Sequence, residues 1–530
     1  MFKVLITEPI AQAGIDILNE QPDIEVHYNP ELFRNYEKIL EIIPEYDALI
    51  TRSGTPVKKE LLDRAKKLKV VGRAGTGVDN IDIEECSKRG ILVVNAAGGN
   101  AIAATELTLG MMIATIRKIP QAHKSLKEER KWERKKFMGI ELAGKTLGII
   151  GFGRIGSRVG VRAKAFEMNV ITYDPYIPRE KAEKLGVEYV ENLEDLLKRA
   201  DIITVHTPLT EETKGMIGEK EISLMKDGVI ILNIARGGII DEQALAKALK
   251  SGKVRAAAVD VYSKEPPFNP DNPLLDAPNV VLTPHIGANT YEAQTNVAVI
   301  VAKQVIAALR GEPVEFAVNA PVEDLSVLKS YAPYVKLAEQ LGKFLIQIQP
   351  GEEYILKLKG NFSGAEKLLE TAFLKGLLEK TLDIPVSIVN SRYLAQERGI
   401  KVKIEKEKIS SSYENIIEAI SKAGDHIFSI AGTVVENKYP KIIQIGQFKF
   451  NLDPKGKFLI FKNIDVPGVI GKVGTILGKH NINIAGFQLG RVGKGKEAKA
   501  VLIVDDDINE DALNELKNLK EITYVKFVKI

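Results

Sequence analysis

Residues 146–174 decide the fold; they read TLGIIGFGRIGSRVGVRAKAFEMNVITYD. An apolar strand at 146–150 leads into the glycine-rich turn GFGRIG at 151–156 and then into a helix. A second apolar strand ends at Asp174, close to the spacing of about 20 residues at which dinucleotide-binding folds place an acid for the ribose. A GxGxxG alone is a weak signal, but the strand, the helix and the acid together predict a βαβ unit that binds a dinucleotide.

Each glycine of this turn has its own physical role. Gly151 makes the tight turn, Gly153 lets backbone amides approach the pyrophosphate, and Gly156 lets the helix pack close to its strand. Asp174 is followed by Pro-Tyr and not by a basic residue. Because its negative charge would repel a 2′-phosphate, the sequence predicts NAD as the cofactor and not NADP.

Strands alternate with helices on both sides of the turn. A first α/β unit ends near Asn95 and a second runs from about Gly144 to Pro284, which predicts two mostly parallel sheets, the second doubly wound. The almost uncharged helix 103–116 between them is typical of a buried helix. After Pro321 the pattern becomes that of an α+β domain, and the last stretch, of about 80 residues, has the order βαββαβ.

Composition excludes several classes of protein. The 530 residues allow three or four domains of about 150 residues. A content of 45% hydrophobic and 27% charged residues excludes a disordered or fibrous chain, and a net charge of +4 gives no case for binding nucleic acid or a membrane surface. The one cysteine, Cys86, forms neither a disulfide nor a zinc cluster. No run approaches a membrane helix or a secretory signal, so we expect a soluble, cytoplasmic protein without a metal site.

Three reactive side chains follow strands of the second unit: Arg236, Glu265 and His285. Ligands of open α/β sheets bind beyond the carboxyl ends of the strands, so we expect these groups to share one site. Histidine can exchange a proton near neutral pH, glutamate can orient its ring, and arginine can hold a carboxylate by two parallel hydrogen bonds. His206 also ends a strand and is the one rival for the base, although a place in the wall of the cofactor cleft is favoured.

Two loops of the first unit, 51–55 and 73–80, also follow strands. Their Arg, Ser and Thr side chains suit an anionic, oxygen-rich substrate. The same residue types are common in ordinary turns, and loop composition alone does not decide between the two.

These motifs resemble those of the D-isomer-specific 2-hydroxyacid dehydrogenases. The resemblance covers residues 1 to about 321 and rests on the glycine-rich turn with Asp174, on NIARGG at 233–238, on KEPP at 264–267 and on TPHIGA at 283–288. It implies a Rossmann NAD-binding domain inserted in a flavodoxin-like substrate-binding domain, with helix 103–116 crossing between them. The implied limits are 1–97 with 290–321 for the substrate-binding domain and 98–289 for the NAD-binding domain.

The resemblance also implies roles for single residues. His285 takes the proton of the substrate hydroxyl, Glu265 stabilises the imidazolium, and Arg236 faces the substrate carboxylate and C2 oxygen. Further cofactor contacts are implied at Thr76, Arg154, Ile155, His206, Thr207, Ile234, Ala235, Asp260, Gly287 and Ala288. Substrate contacts are implied at Arg52, Ser53, Gly75 and Asn100, the last in a loop with alanine where relatives often carry serine.

Within the family, VGRAGTGVDN at 71–80 and KWERKKFMG at 131–139 are similar to the branch that oxidises 3-phosphoglycerate to 3-phosphohydroxypyruvate, the first step of L-serine biosynthesis. We therefore expect that reaction. One alternative keeps the chemistry and takes glyoxylate, hydroxypyruvate or another 2-keto acid. The other is a nucleotide-sensing binding protein like the transcriptional corepressors, against which the near-neutral charge argues.

The C-terminal part resembles the regulatory domains of long family members, with an intervening domain at 322–453 and an ACT domain at 454–530. The ACT resemblance rests on DVPGVIG at 465–471 and NINI at 481–484. It implies L-serine as an effector, bound between the ACT domains of two subunits of a homodimer or homotetramer. The implied contacts are Asn463, Asp465 and Asn483.

Overall fold

The structure is a computed structural model that describes residues 1–268, 270–321, 325–351, 353–382, 386–408, 413–491, 493 and 495–530. The strands of these residues form four sheets, of five, seven, six and four strands, in chain order. In the part of the chain described, no helix is both long and apolar enough to cross a membrane.

The first sheet has five parallel strands in the order β2-β1-β3-β4-β5, which is the flavodoxin order and confirms the predicted fold of this unit. Its elements are β1 (Phe2–Ile6), α1 (Gln12–Asn19), β2 (Ile24–Tyr28), α2 (Tyr36–Ile42), β3 (Ala48–Thr51), α3 (Lys59–Arg64), β4 (Val70–Arg73), α4 (Ile83–Lys88) and β5 (Leu92–Asn95). Leu5 and Leu49 pack in the core with α2 and α3, whereas Val4 and Ile50 face α1. Helices therefore cover both faces.

The next part of the chain begins with two helices that lead to the second sheet and continues with the strands and helices of that sheet. The elements are α5 (Ala101–Ile116), α6 (Ile119–Lys127), β6 (Thr146–Ile150), α7 (Gly156–Lys164), β7 (Asn169–Tyr173), α8 (Arg179–Glu183), β8 (Glu188–Tyr189), α9 (Leu193–Arg199), β9 (Ile202–Val205), α10 (Glu219–Leu224), β10 (Val229–Asn233), α11 (Glu242–Ser251), β11 (Val254–Val259) and β12 (Val280–Leu282). The parallel order β12-β11-β10-β9-β6-β7-β8 confirms the doubly wound Rossmann prediction. The sequence patterns predict six strands; the seventh, β8, has two residues and no apolar run to mark it.

After β12 the chain returns to the first sheet through α12 (Tyr291–Leu309). A Cβ on Gly14 of α1 would lie 2.7 Å from the Ala298 carbonyl oxygen, and one on Gly72 of β4 would lie 2.6 Å from Val305. Glycine at both positions therefore lets α12 pack closely against the sheet. The predicted limits of the two domains stay predictions.

The remaining elements belong to the C-terminal part of the chain. They are α13 (Leu325–Ile348), β13 (Glu353–Lys359), α14 (Glu366–Glu379), α15 (Ser391–Glu397), β14 (Lys401–Glu407), β15 (Ile416–Ala423), β16 (His426–Val435), β17 (Tyr439–Ile445), β18 (Phe448–Leu452), β19 (Lys457–Ile464), α16 (Val469–Lys479), β20 (Ile484–Arg491), β21 (Glu497–Val504), α17 (Glu510–Lys517) and β22 (Ile522–Lys529). The last six have the predicted order βαββαβ and form the sheet β20-β21-β19-β22.

The six-stranded and four-stranded sheets share one core. Phe458 and Ile460 of β19 and Val501 of β21 lie in the same apolar cluster as Phe344 of α13, and the rings of Phe344 and Phe458 are 6.3 Å apart. The two C-terminal regions therefore pack as one body, although the sequence divides them at 453. That limit stays a prediction, and the predicted start of the intervening domain, 322–324, lies outside the described residues.

Candidate active site

Loops at the carboxyl ends of the two parallel sheets face each other. Arg236 follows β10 and Asp79 lies in the loop after β4; Arg236 Nε and Asp79 Oδ2 are 3.3 Å apart. This ion pair joins the two sheets. The charges of Arg236 and Arg52 act on Arg73, and those of His285 and Arg236 act on Glu265, so these side chains lie near one another; we call the region between them the candidate cleft.

His285 and Glu265 form a hydrogen-bonded pair on the seven-stranded side, with 2.7 Å between His285 Nδ1 and Glu265 Oε2. Their side chains are 47% and 38% exposed, so a substrate in the cleft can reach them. Burial acts to raise the pKa of Glu265, but the bond and charge of His285 and the bond from the Tyr262 backbone outweigh it and hold this pKa below its ordinary value. A carboxylate only accepts, so Nδ1 donates and Nε2 is left to accept a proton.

Asp260 holds the loop that carries His285. Its buried carboxylate accepts hydrogen bonds from Thr283 Oγ1 (2.5 Å), Ile286 N (2.8 Å) and Gly287 N (2.9 Å). Burial raises the pKa of Asp260 above its ordinary value, against these bonds. The residue predicted to contact the cofactor therefore also holds the Thr283 side chain before the histidine and two backbone amides after it.

A side-chain amide shapes the turn of Arg236. Asn233 Nδ2 donates to the Arg236 carbonyl oxygen (2.9 Å), and Asn233 Oδ1 accepts from Ala235 N (3.2 Å). Arg236 Nη1 donates to the Ala235 carbonyl oxygen at 2.7 Å. The guanidinium is thus fixed at one nitrogen by its own turn and at another by Asp79.

A third arginine, which the sequence indicated only as part of loop 73–80, also lies in the cleft. Arg73, at the end of β4, is largely buried; this burial, with the charges of Arg236 and Arg52, lowers its pKa to about 10. A Cβ on Gly75 would lie 1.7 Å from Arg73 Nη1, and one on Gly77 would lie 2.1 Å from Arg236 Nη2. The glycines of this loop make room for two guanidinium groups, so Gly75 acts here as space for Arg73.

Of the other predicted substrate residues, Ser53 is exposed and Arg52 is partly buried, with Nη1 3.3 Å from the Pro9 carbonyl oxygen. Asn100 begins the crossing helix α5, and its Oδ1 accepts a hydrogen bond from Thr76 Oγ1 at 2.8 Å. The structure thus brings together Thr76, predicted for the cofactor, and Asn100, predicted for the substrate.

The glycine-rich turn fits a pyrophosphate. A Cβ on Gly151 would lie 2.8 Å from the His206 carbonyl oxygen, and one on Gly156 would lie 2.1 Å from the Gly151 carbonyl oxygen, whereas Gly153 faces open space. The buried hydroxyl of Thr207 next to this turn has no hydrogen-bond partner within the described part of the chain. Open space over Gly153 and this orphaned hydroxyl are what a bound dinucleotide would occupy and satisfy.

Asp174 lies where a ribose acid is expected. Its Oδ2 accepts from Phe152 N at 2.8 Å, and its Oδ1 accepts from Tyr176 N at 2.9 Å. The carboxylate is therefore fixed beside the glycine-rich turn, with acceptor capacity left for ribose hydroxyls.

His206 is on the cofactor side of the cleft. It follows β9, its Nε2 lies 3.0 Å from Thr204 Oγ1, and burial lowers its pKa to about 4. A histidine held neutral in this way is a poor candidate for the base, which favours His285 for that role.

The remaining predicted cofactor residues make the following contacts. Arg154 places its guanidinium 5.8 Å from the centre of the Phe316 ring, a Cβ on Gly287 would lie 3.7 Å from Ile234 Cγ2, and the Ala288 carbonyl accepts from Gln294. Ile155 precedes α7, and Ala235 precedes Arg236.

The predicted effector residues lie at opposite ends of the four-stranded sheet. Asp465 follows β19 and is 3.4 Å from Arg491 at the end of β20, whereas Asn483 precedes β20 and donates to Asp505 at 2.6 Å. Asn463 is buried, and its Nδ2 donates to the Ile464 carbonyl oxygen. One copy of the chain therefore cannot bring Asp465 and Asn483 to one amino acid.

Comparisons with known proteins agree with this architecture. Three family models match: the NAD-binding domain of the D-isomer specific 2-hydroxyacid dehydrogenases at 109–287, the D-3-phosphoglycerate dehydrogenase intervening domain at 330–446, and the ACT domain at 457–521. The NAD and ACT predictions are thereby confirmed.

Several known proteins are similar to this chain over its whole length, and a solved structure is similar to more than half of it. The D-3-phosphoglycerate dehydrogenases of Methanocaldococcus jannaschii and Archaeoglobus fulgidus are each 45% identical, over 100% of both chains, and that of Bacillus subtilis is 41% identical over 100% of this chain and 99% of the relative. A solved structure of D-lactate dehydrogenase from Aquifex aeolicus, complexed with NAD and lactic acid, is 29% identical and covers 58% of this chain and 96% of its own, with a TM-score of 0.52. With such identity over the whole length, the chain belongs to the D-3-phosphoglycerate dehydrogenase family.

Proposed function

We propose that this protein oxidises 3-phospho-D-glycerate to 3-phosphohydroxypyruvate with NAD, the first step of L-serine biosynthesis. The observation that carries the proposal is the placing of three arginines, Arg52, Arg73 and Arg236, in one cleft with the His285–Glu265 pair. The substrate has a carboxylate and a phosphate, and a phosphate group carries about two negative charges near neutral pH. Three guanidinium groups match that charge.

The residues of the seven-stranded side perform the proton chemistry. The glycine-rich turn would hold NAD, which would supply the acceptor for the hydride that leaves C2. His285 Nε2 takes the proton of the C2 hydroxyl as the C2–O bond becomes a carbonyl. Glu265 holds the ring through Nδ1 and stabilises the imidazolium, and Arg236 holds the substrate carboxylate and the C2 oxygen.

The residues of the five-stranded side bind the other end of the substrate. Arg52 and Ser53 bind the phosphate together with Asn100, and Arg73, which the sequence indicated only as part of loop 73–80, adds a largely buried charge. Closure of the two sheets over the substrate then excludes water from the reacting atoms.

An assay of NAD reduction tests this function. We expect turnover with 3-phosphoglycerate, and weak reduction of glyoxylate and hydroxypyruvate by NADH in the reverse direction. Preferred reduction of those acids would favour the first alternative, and NAD binding with no turnover on any of them would favour the corepressor-like alternative.

We propose L-serine as the effector and a homodimer or homotetramer as the assembly. The ACT domain supports an amino-acid effector. The opposite placing of Asp465 and Asn483 suits a site built by two copies, and Phe487 and Leu489 on the edge strand β20 are 42% and 38% exposed. Calorimetry should show serine binding to the wild type and not to Asp465→Ala; equal binding by both would contradict the site.

We also propose a cytoplasmic location, supported by the use of a single, buried cysteine, Cys86. Fractionation of cells with an antibody to the protein tests it.

A further inference from the structure

Glu8 is buried behind the loop that carries Arg52 and Ser53. It lies just after β1, is 5% exposed, and does not belong to any motif of the sequence. Its Oε1 accepts from Thr51 Oγ1 (2.5 Å), Arg52 N (2.8 Å) and Thr55 N (2.9 Å). Its Oε2 accepts from Gly54 N at 2.9 Å. One carboxylate thus gathers four donors from five consecutive residues.

The carbonyl side of the same loop is fixed by Asn80. Its Nδ2 donates to the carbonyl oxygens of Arg52 and Thr55, each at 2.8 Å. Glu8 holds backbone amides of loop 51–55 and Asn80 holds two of its carbonyl oxygens, so the backbone of this loop is fixed in one arrangement. The Ser53 side chain is left exposed.

The charge of Glu8 suits its surroundings. Burial acts to raise the pKa of Glu8, but the bonds from Thr51 and from the backbone of Arg52, Gly54 and Thr55 outweigh it, and this pKa lies below the ordinary value. Glu8 also interacts favourably with the buried charge of Arg73. The carboxylate is therefore ionised at neutral pH and offsets part of the repulsion among the arginines.

We propose that Glu8 is a positioning residue that sets the preference for a phosphorylated substrate, because it holds loop 51–55 so that Arg52 and Ser53 meet the phosphate. This inference rests on the proposed function. Glu8 does not touch the reacting atoms; it acts through the loop, so its loss should weaken binding of the phosphate and leave the proton chemistry at His285 intact.

Glu8→Gln tests the proposal, because the amide keeps the size but puts an N–H where an acceptor is needed. We expect KM for 3-phosphoglycerate to rise about 10- to 100-fold, as a misplaced binding group does, with kcat within about threefold. KM for D-glycerate, which lacks the phosphate, should change less than about twofold. Glu41→Gln, which changes an exposed carboxylate of α2 paired with Lys38, is the matched control and should equal the wild type.

A double-variant cycle separates positioning from general loss of structure. If Glu8 acts through Arg52, then Glu8→Gln in an Arg52→Gln background adds little to the rise in KM, whereas additive effects would overturn the proposal. An equal rise in KM for both substrates, or no rise, would also overturn it.

If Glu8→Gln does not fold, Glu8→Asp, which keeps the charge at shorter reach, carries the same test. A wild type that prefers D-glycerate would instead refute the proposed function.

Discussion

The two parallel sheets have the same architecture and different tasks. Both are covered by helices on two faces and direct the loops at their carboxyl ends to one cleft. The seven-stranded sheet supplies the cofactor turn and the His285–Glu265 pair, and the five-stranded sheet supplies Arg52 and Arg73. In the proposed function, this difference assigns the proton chemistry to the seven-stranded side and recognition of the phosphate to the five-stranded side. Changes to the His285–Glu265 pair should therefore act on kcat, and changes to Arg52 and Arg73 should act on KM.

The largest effect is expected for His285→Ala on the seven-stranded side. Loss of the general base should lower kcat about 100- to 10,000-fold, while NAD binding measured by calorimetry stays at the wild-type level. His206→Ala is the comparison on the same sheet. The assignment of His285 as the base would be contradicted if His206→Ala abolished turnover and His285→Ala did not.

Arg73→Met on the five-stranded side should act on binding. A hydrogen bond to a charged group contributes about 1.5–3 kcal/mol, so we expect KM for 3-phosphoglycerate to rise about 100-fold with kcat nearly unchanged. The thermal midpoint of unfolding of Arg73→Met should not be lower than that of the wild type, because the variant lacks a charged guanidinium that burial disfavours. Arg64→Met, at an exposed position of α3, is the control. A drop in kcat with an unchanged KM would place Arg73 in the chemistry.

His206 should make the stability of the seven-stranded side decrease in acid. Its folded pKa of about 4 is below the ordinary 6.5, so the unfolded chain takes up the proton first and stability is lost as pH falls from about 6.5 towards 4. When the pH is lowered from 7 to 5, the free energy of unfolding should fall by about 2 kcal/mol more in the wild type than in His206→Gln. Denaturant unfolding of both proteins at the two pH values measures this, and parallel curves would refute it.

The smallest effect is expected for Asp174→Ala. Loss of the ribose carboxylate should weaken NAD about tenfold and narrow its advantage over NADP, because the charge that repels a 2′-phosphate is gone. Titration with both cofactors measures the ratio. An unchanged ratio would show that Asp174 only braces the Phe152 and Tyr176 amides.

The sequence predicted the parts of the molecule that local patterns encode. Apolar runs marked the strands of both parallel sheets, and the glycine-rich turn with Asp174 placed the cofactor site. It missed β8, whose two residues have no apolar run.

The parts that it missed depend on how distant segments pack. Arg73 was visible in a glycine-rich loop, but its meeting with Arg52 and Arg236 follows from the approach of two sheets. Glu8 had no signal, since its four donors lie more than 40 residues away in the chain. The core shared by the six-stranded and four-stranded sheets likewise follows from packing that no local periodicity records.

The central claim, that the five-stranded side selects a phosphorylated acid for the chemistry of the other side, is tested most directly by one ratio. This is kcat/KM for 3-phosphoglycerate over kcat/KM for D-glycerate, measured on the wild-type protein with NAD. We predict a ratio of about 100 or more, since the phosphate gains charged hydrogen bonds that D-glycerate cannot make. A ratio near one, with turnover on both substrates, would contradict the account.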